Sequence, residues 1–437
     1  MAAAGLAPDD LHLYVIDCGG GGQRMLAHLA HCGTVIDRGE FGTAERLLAR
    51  LIEEITHRQT RLIELGVSSV AEARERGHAI PFVLVIVDGW EGFVAAAEEH
   101  DAGRSVETLL ALIRDSAAAG FTIAIAGDRA TLTARIAGIV ARKYVLRLAD
   151  RADYALAGLP PRAVPTSMPP GRAICAETGA EVQLAFLGPD PSAAGQQRAL
   201  RELSAISSPE PHRGLIRIRP LPTRVELAAL GSVKQGMTVL GVGGDESRPV
   251  AIDLFTGDGR LIIAGPRRSG RSTVLRLVLD QLRNRDVLVA APRRSPLVEA
   301  AQTRRIRVVT PDDPATAIGP YSGQLLLVDD SETFLDTQIG DALTDLLRSG
   351  RSGLAAVVAA RSDELAVTYR GVGHEARRCR AGLLLQPEPG DGELLGLRLP
   401  RTYSTQPPGR GVLVVEQAQL QAISGEAAVL PIQVALP

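Results

Sequence analysis

The chain has 437 residues, enough for two or three domains with real cores, and its composition is that of a folded protein. A formal charge of −2 gives no global basic field for nucleic acid or anionic lipid, and 3% aromatic residues leave few platforms for stacked bases. The four cysteines are far apart and form no CxxC pair, which argues against a zinc site or disulfide framework and fits a reducing compartment.

No apolar run reaches membrane-span length, and the start Met1–Gly5 lacks the pattern of a signal peptide. In chain order, Leu11–Asp17 reads as a buried strand running into Cys18 and the glycines Gly19–Gly22. Ala44–Leu65 reads as a long helix with Leu47, Leu48, Leu51, Ile52, Ile55 and Leu62 on one face. Phe82–Val87 is a continuous apolar strand closed by Asp88; Val106–Ala118 is helical; Phe121–Ala126 and Tyr144–Leu148 are further strands. The Pro-, Ser- and Ala-rich stretch Gly188–Gly214 is expected to be a linker with a helix, Gly195–Ser204, inside it. A second series follows: strand Arg260–Ala264, helix Thr273–Leu282, strand Asp286–Ala290, strand Gln324–Val328 closed by Asp329-Asp330, and strand Leu354–Ala359.

Strands alternating with amphipathic helices predict an α/β fold, a mostly parallel sheet with helices on both faces. The two series repeat each other. Asp88 precedes Pro169-Pro170-Gly171-Arg172, and Asp329 precedes Pro407-Pro408-Gly409-Arg410 at nearly the same spacing. The first series has no counterpart of the Arg260–Ala264 strand and its following loop and helix. The expected organisation is a partial module over 1–187, a linker over 188–213 and a complete module over 214–437. A chain beginning in mid-domain is expected to be a fragment or to have its start assigned too late.

The strongest motif is Gly265-Pro266-Arg267-Arg268-Ser269-Gly270-Arg271-Ser272-Thr273. It follows a strand, opens a helix and matches the phosphate-binding loop G-x-x-x-x-G-K-[ST], with Arg271 in place of lysine. Backbone N–H groups of such a loop cradle phosphate, and Ser272 would place its hydroxyl on Mg²⁺. Arginine is longer and forked, and neither lysine of the chain, Lys143 or Lys234, lies nearby in sequence. Asp329 is the expected metal-side carboxylate. Asp330 stands at the water-activating position usually held by glutamate and is one methylene shorter. Glu332, two residues along an extended chain, would be too far to replace it. In the first series Asp88 has Gly89 at the corresponding position; Trp90 is expected to pack and Glu91 to be exposed. The plain alternatives are a Gly/Arg-rich turn without a ligand and a solvated acidic turn. The arginine clusters Arg293-Arg294, Arg304-Arg305-Arg307 and Arg377-Arg378-Arg380 are expected to form solvated faces, with subunit or nucleic-acid contacts as the alternative.

These stretches, in this order, resemble the FtsK/SpoIIIE (FtsK-HerA) family of P-loop ATPases, especially the multi-module type VII (ESX) secretion ATPases. The resemblance rests on Pro8–Asp17, His57-Arg58-Gln59, Val87-Asp88-Gly89-Trp90, Leu146–Tyr154, Pro169–Ala173, Ile252-Asp253-Leu254 and the loop Gly265–Thr273. It implies RecA-like P-loop modules, one partial and one complete, with ATP and Mg²⁺ as cofactors and nucleotide lying between ring neighbours. It also implies sister ATPase modules and a secreted protein as partners, and a cytoplasmic location, with membrane association through a preceding part or a partner. The chain departs from an active motor at Arg271, Asp330 and Gly89. A nucleotide-holding, slowly hydrolysing secretion module is therefore expected. A DNA translocase fragment and a structural module with a non-functional P-loop are the alternatives.

Overall fold

The computed structural model describes residues 5–132, 134–206, 214–231, 236–319, 321–351, 353–399, 406–415, 420–421 and 429–437. The chain divides into two compact units, Met1–Arg219 and Pro220–Pro437.

In the first unit, strands β1 (Leu11–Asp17), β2 (Cys32–Asp37), β3 (Phe82–Asp88) and β4 (Phe121–Ala126) form a parallel sheet in the order β2-β1-β3-β4. Helices α1 (Phe41–Leu65), α2 (Trp90–Asp101) and α3 (Arg104–Asp115) cover it, burying Leu47, Leu48, Leu51, Phe93 and Leu109 against Val83, Val85 and Val87. Leucines spaced by three and four residues give α1 the apolar stripe that this packing needs. A smaller antiparallel sheet holds β5 (Tyr144–Val145), β6 (Arg172–Cys175) and β7 (Glu181–Gln183).

The segment expected to be a linker belongs to this unit. Residues Ala193–Ile206 form helix α4, whose Leu200 and Leu203 pack against Leu13, Val15 and Leu29. Further on, Ile218 lies in the core beneath α1, and the Ile216 N–H donates to the Tyr14 hydroxyl at 3.1 Å. The first unit therefore runs to Arg219, because Leu200, Leu203 and Ile218 pack within it.

The second unit has strands β8 (Thr238–Gly243), β9 (Arg248–Ile252), β10 (Arg260–Ala264), β11 (Val287–Ala290), β12 (Arg307–Val309), β13 (Leu325–Val328), β14 (Ala355–Ala360), β15 (Gly382–Leu385), β16 (Arg410–Val414), β17 (Leu420–Gln421) and β18 (Val429–Val434). They form one sheet in the order β12-β11-β13-β14-β10-β15-β16-β18-β8-β9-β17. Pairing is parallel from β12 to β15 and antiparallel beyond it. The strands of this antiparallel half, two to six residues long, are not among the expected elements. Helices α5 (Arg271–Gln281) and α6 (Pro296–Thr303) cover one face, α7 (Gln338–Arg348) the other; each face has its own core. The buried runs of β10, β11, β13 and β14 are apolar at every position, as two-sided coverage requires.

The two strand orders correspond. Order β2-β1-β3-β4 matches β12-β11-β13-β14, and β5-β6-β7 matches β15-β16-β18. Strand β10, which carries the phosphate-type loop, has no counterpart among the described residues of the first unit. Accordingly β14, paired on both edges, is buried throughout, while β4 alternates between buried or half-buried and exposed positions.

Candidate functional site

The site sits at the carboxyl ends of β10 and β13 in the second unit, where open α/β sheets present their ligand-binding loops. Strand β10 ends at Ala264, the loop turns through Arg268 in the left-handed region (φ 64), and α5 opens after Gly270 (φ 110). A Cβ at Gly265 would lie 2.7 Å from both the Leu385 carbonyl and the Ser269 hydroxyl, so only glycine fits there. Ser269 is buried, and its hydroxyl has no hydrogen-bond partner. The Pro-Pro-Gly-Arg turn also reaches the loop: the Gly409 N–H donates to the Ser269 carbonyl at 2.8 Å. In the sequence this turn served only as a repeat marker.

Strand β13 delivers Asp329, which is fully buried. Its Oδ2 accepts from the Ser272 hydroxyl at 2.8 Å and the Ser295 hydroxyl at 2.5 Å, and its Oδ1 accepts from the Asp330 N–H at 3.1 Å. Burial pushes the Asp329 carboxyl above the usual carboxylate range. The two hydroxyl donors oppose that shift, while neighbouring Asp330 adds to it. Ser295 is a site residue that sequence reasoning missed. Ser295-Pro296 is a legible helix start, and Ser295 does cap α6 by accepting from the Leu297 N–H. Its reach to Asp329 follows only from the adjacency of β11 and β13.

Arg271 lies across the loop. Its Nη1 donates to the carbonyls of Gly265 (2.5 Å) and Pro266 (3.1 Å), and its Nη2 donates to Asp330 Oδ1 at 2.7 Å. Asp330 is left-handed (φ 43), so the chain is not extended here but enters a short 3-10 turn, Ser331–Phe334. Glu332 consequently tucks in, with Oε2 buried and without a hydrogen-bond partner, and burial raises its carboxyl above the ordinary range. The expectation of a Glu332 displaced along an extended chain is corrected by this turn. Of the expected set, the structure brings Gly265, Ser269, Gly270, Arg271, Ser272, Asp329 and Asp330 together. No hydrogen bond joins Arg267, Arg268 or Thr273 to the acidic pair.

The first unit has the acidic half of such a site. Asp17 and Asp88 are register partners at the ends of β1 and β3. The Gly19–Gly22 loop is not an open anion cradle: Asp17 already accepts from the N–H groups of Gly19, Gly21 and Gln23 at 3.1, 3.1 and 2.8 Å. The Gln23 side chain donates to Asp88 at 3.0 Å. Gly89 answers a close approach, since its Cβ would sit 2.6 Å from the Gly19 nitrogen. Trp90 is buried against Phe93, and Glu91 accepts from the Asp128 N–H.

Several arginines of the three clusters have partners within the fold, some of them at exposed positions. Arg304 donates to the Leu279 carbonyl, Arg307 to the Ala317 carbonyl and Arg377 to the Leu365 carbonyl; Arg378 pairs with Glu375 and Arg293 with Asp312. Among the described residues no helix is long and apolar enough to cross a membrane.

Comparison with known proteins agrees with this architecture. Residues 1–157 match the model of the FtsK/SpoIIIE family. The chain is 25% identical over 467 residues to the ESX-4 secretion system protein EccC4 of Mycobacterium tuberculosis, covering 94% of this chain and 35% of that relative's length. In fold it is similar to EssC (ATPases 2 and 3) from Geobacillus thermodenitrificans, with a TM-score of 0.68, 17% identity and coverage of 100% of this chain and 87% of that one. It is also similar to Thermomonospora curvata EccC (ATPases 2 and 3) in complex with a signal sequence peptide, with a TM-score of 0.57, 20% identity and coverage of 98% and 83%. Residues 1–157 thus resemble the FtsK/SpoIIIE family, and over its length the chain is similar in sequence to a type VII (ESX) secretion protein and in fold to RecA-like ATPase domains of EssC and EccC, spanning about a third of the length of that curated relative.

Proposed function

We propose that the second unit holds ATP and Mg²⁺ at residues 265–273, hydrolyses ATP slowly, and serves as a nucleotide-holding module of a type VII-like secretion motor. The observation that carries this reading is the Ser272–Asp329 pair, 2.8 Å apart where the glycine loop meets β13. The residues fit a hard divalent ion: two hydroxyls converge on one buried carboxylate whose negative charge burial disfavours, and a cation relieves that cost. Ser272 and Asp329 would hold Mg²⁺, and the loop N–H groups and the Ser269 hydroxyl would meet phosphate. When bound, Mg²⁺ neutralises charge on the β- and γ-phosphates.

Slow turnover follows from the acidic residues. Asp330 is spent on Arg271, and Glu332 is buried in a form that burial keeps neutral to a higher pH than usual. Sister modules and a secreted protein are the partners this reading favours, and the signal sequence peptide in the T. curvata EccC structure supports the latter. The balanced charge of −2 weighs against duplex DNA as cargo. Steady-state hydrolysis tests the proposal. The wild-type chain should turn over below about 1 s⁻¹, the low end of the usual enzyme range. The double change Arg271→Lys, Asp330→Glu should raise that rate. A wild-type rate at or above it contradicts the proposal.

A further inference from the structure

We propose that Arg271 is a latch: Asp330 holds its guanidinium over the loop until phosphate takes it, so that Asp330 sets the affinity for ATP. The inference rests on the reading that residues 265–273 bind ATP and adds how that binding is restrained. Both terminal nitrogens of Arg271 are committed, Nη1 to the first two carbonyls of the loop and Nη2 to Asp330, while Nε is buried without a partner. The Arg271 side chain is only 10% exposed in this pairing, so water competes weakly for it.

Asp330 is fixed for the role from both sides. Its N–H donates to Asp329, and its carbonyl accepts from the Thr333 N–H at 2.9 Å and hydroxyl at 2.8 Å. A guanidinium can serve a carboxylate or a phosphate with the same N–H fork, and the two anions repel each other. Residue 271 stands where P-loop lysine reaches the β- and γ-phosphates. Nucleotide must therefore draw Arg271 off Asp330 and off the loop carbonyls before the loop closes on phosphate.

A double-mutant cycle on the full chain tests this, with ATP affinity as the readout. Asp330→Asn keeps the shape and tolerates the left-handed backbone, and Asp330→Gly is the second variant should the first fold poorly. Asp330→Asn should tighten ATP binding roughly ten-fold, the worth of one charge-assisted hydrogen bond. In the Arg271→Ala background the same change should shift affinity less than about two-fold, which separates a latch from the mere removal of a negative charge. No tightening, or equal tightening in both backgrounds, overturns the latch. If neither the wild type nor any variant binds ATP, the nucleotide reading falls. The latch is then judged in the nucleotide-free chain by exchange of the Gly265 amide and those of residues 267–270. Exchange should quicken roughly ten-fold in Asp330→Asn if Arg271 fastens the loop, and unchanged exchange overturns it.

Discussion

Two serines touch the same buried oxygen, and the account assigns them different work. Ser272 and Ser295 both donate to Asp329 Oδ2, at 2.8 and 2.5 Å, and Asp329 is fully buried. Replacing either serine by alanine leaves the carboxylate one hydroxyl and the Asp330 N–H. No bulk water stands ready to replace the lost donor. A charge-assisted bond of this kind contributes about 1.5–3 kcal/mol. In a unit of this size, about 2 kcal/mol lowers the melting midpoint by roughly 4–8 °C. Ser272→Ala and Ser295→Ala should therefore destabilise the nucleotide-free second unit by similar amounts in thermal unfolding. Their effects on ATP should diverge, because only Ser272 stands on the loop that meets phosphate. Ser272→Ala should weaken Mg²⁺-dependent ATP binding roughly ten-fold, about 1.4 kcal/mol, with Ser295→Ala changing it less than about three-fold. Equal losses of ATP binding in the two variants would refute the assignment of Ser272 as the metal-side hydroxyl.

Three other outcomes are expected. Burial raises the Asp329 carboxyl, so its contribution to stability is full below the unfolded value, about 3.9, and is lost as pH rises through the folded one. Mg²⁺ needs the carboxylate, so Mg²⁺-dependent ATP affinity should fall on acidification at a pH above the ordinary aspartate range; a fall confined to that range would contradict this. Gly89→Ala should destabilise the first unit by about 2 kcal/mol or more, given a Cβ 2.6 Å from the Gly19 nitrogen and a φ of 76. Gly22→Ala, with open space around it, should be nearly neutral in the same unfolding experiment. Duplex DNA should show no micromolar, steeply salt-dependent binding. Such binding, lost when Arg304, Arg305 and Arg307 become alanine, would restore the DNA-motor alternative.

Most parallel strands of each unit were legible because they are continuous apolar runs, several of them ending at marked residues, Asp17, Asp88, Gly265 and Asp329; the parallel strands β2, β12 and β15 were not. The loop motif and its metal-side partner were legible for the same reason, since a strand, a glycine turn and a helix follow one another locally. The pairings between them were not legible. Ser295 meets Asp329 across two strands, Gly409 meets Ser269 across the sheet, and Arg271 folds back onto Asp330. The stretch 188–213 looked like a linker because its composition is polar and Pro-rich. Leu200 and Leu203 within it nonetheless pack, half-buried, against Leu13, Val15 and Leu29 of the first unit, a tertiary preference that composition does not reveal. Glu332 was misplaced because a left-handed aspartate before it could not be foreseen.

The central claim is that the second unit holds nucleotide. Calorimetric titration of ATP into the full chain, with Mg²⁺ and then with the metal chelated, tests it most directly. The account predicts one saturable Mg²⁺-dependent site in the 265–273 loop, weakened by Ser272→Ala. No heat of binding at millimolar ATP, or binding that neither Mg²⁺ nor Ser272 affects, would contradict it.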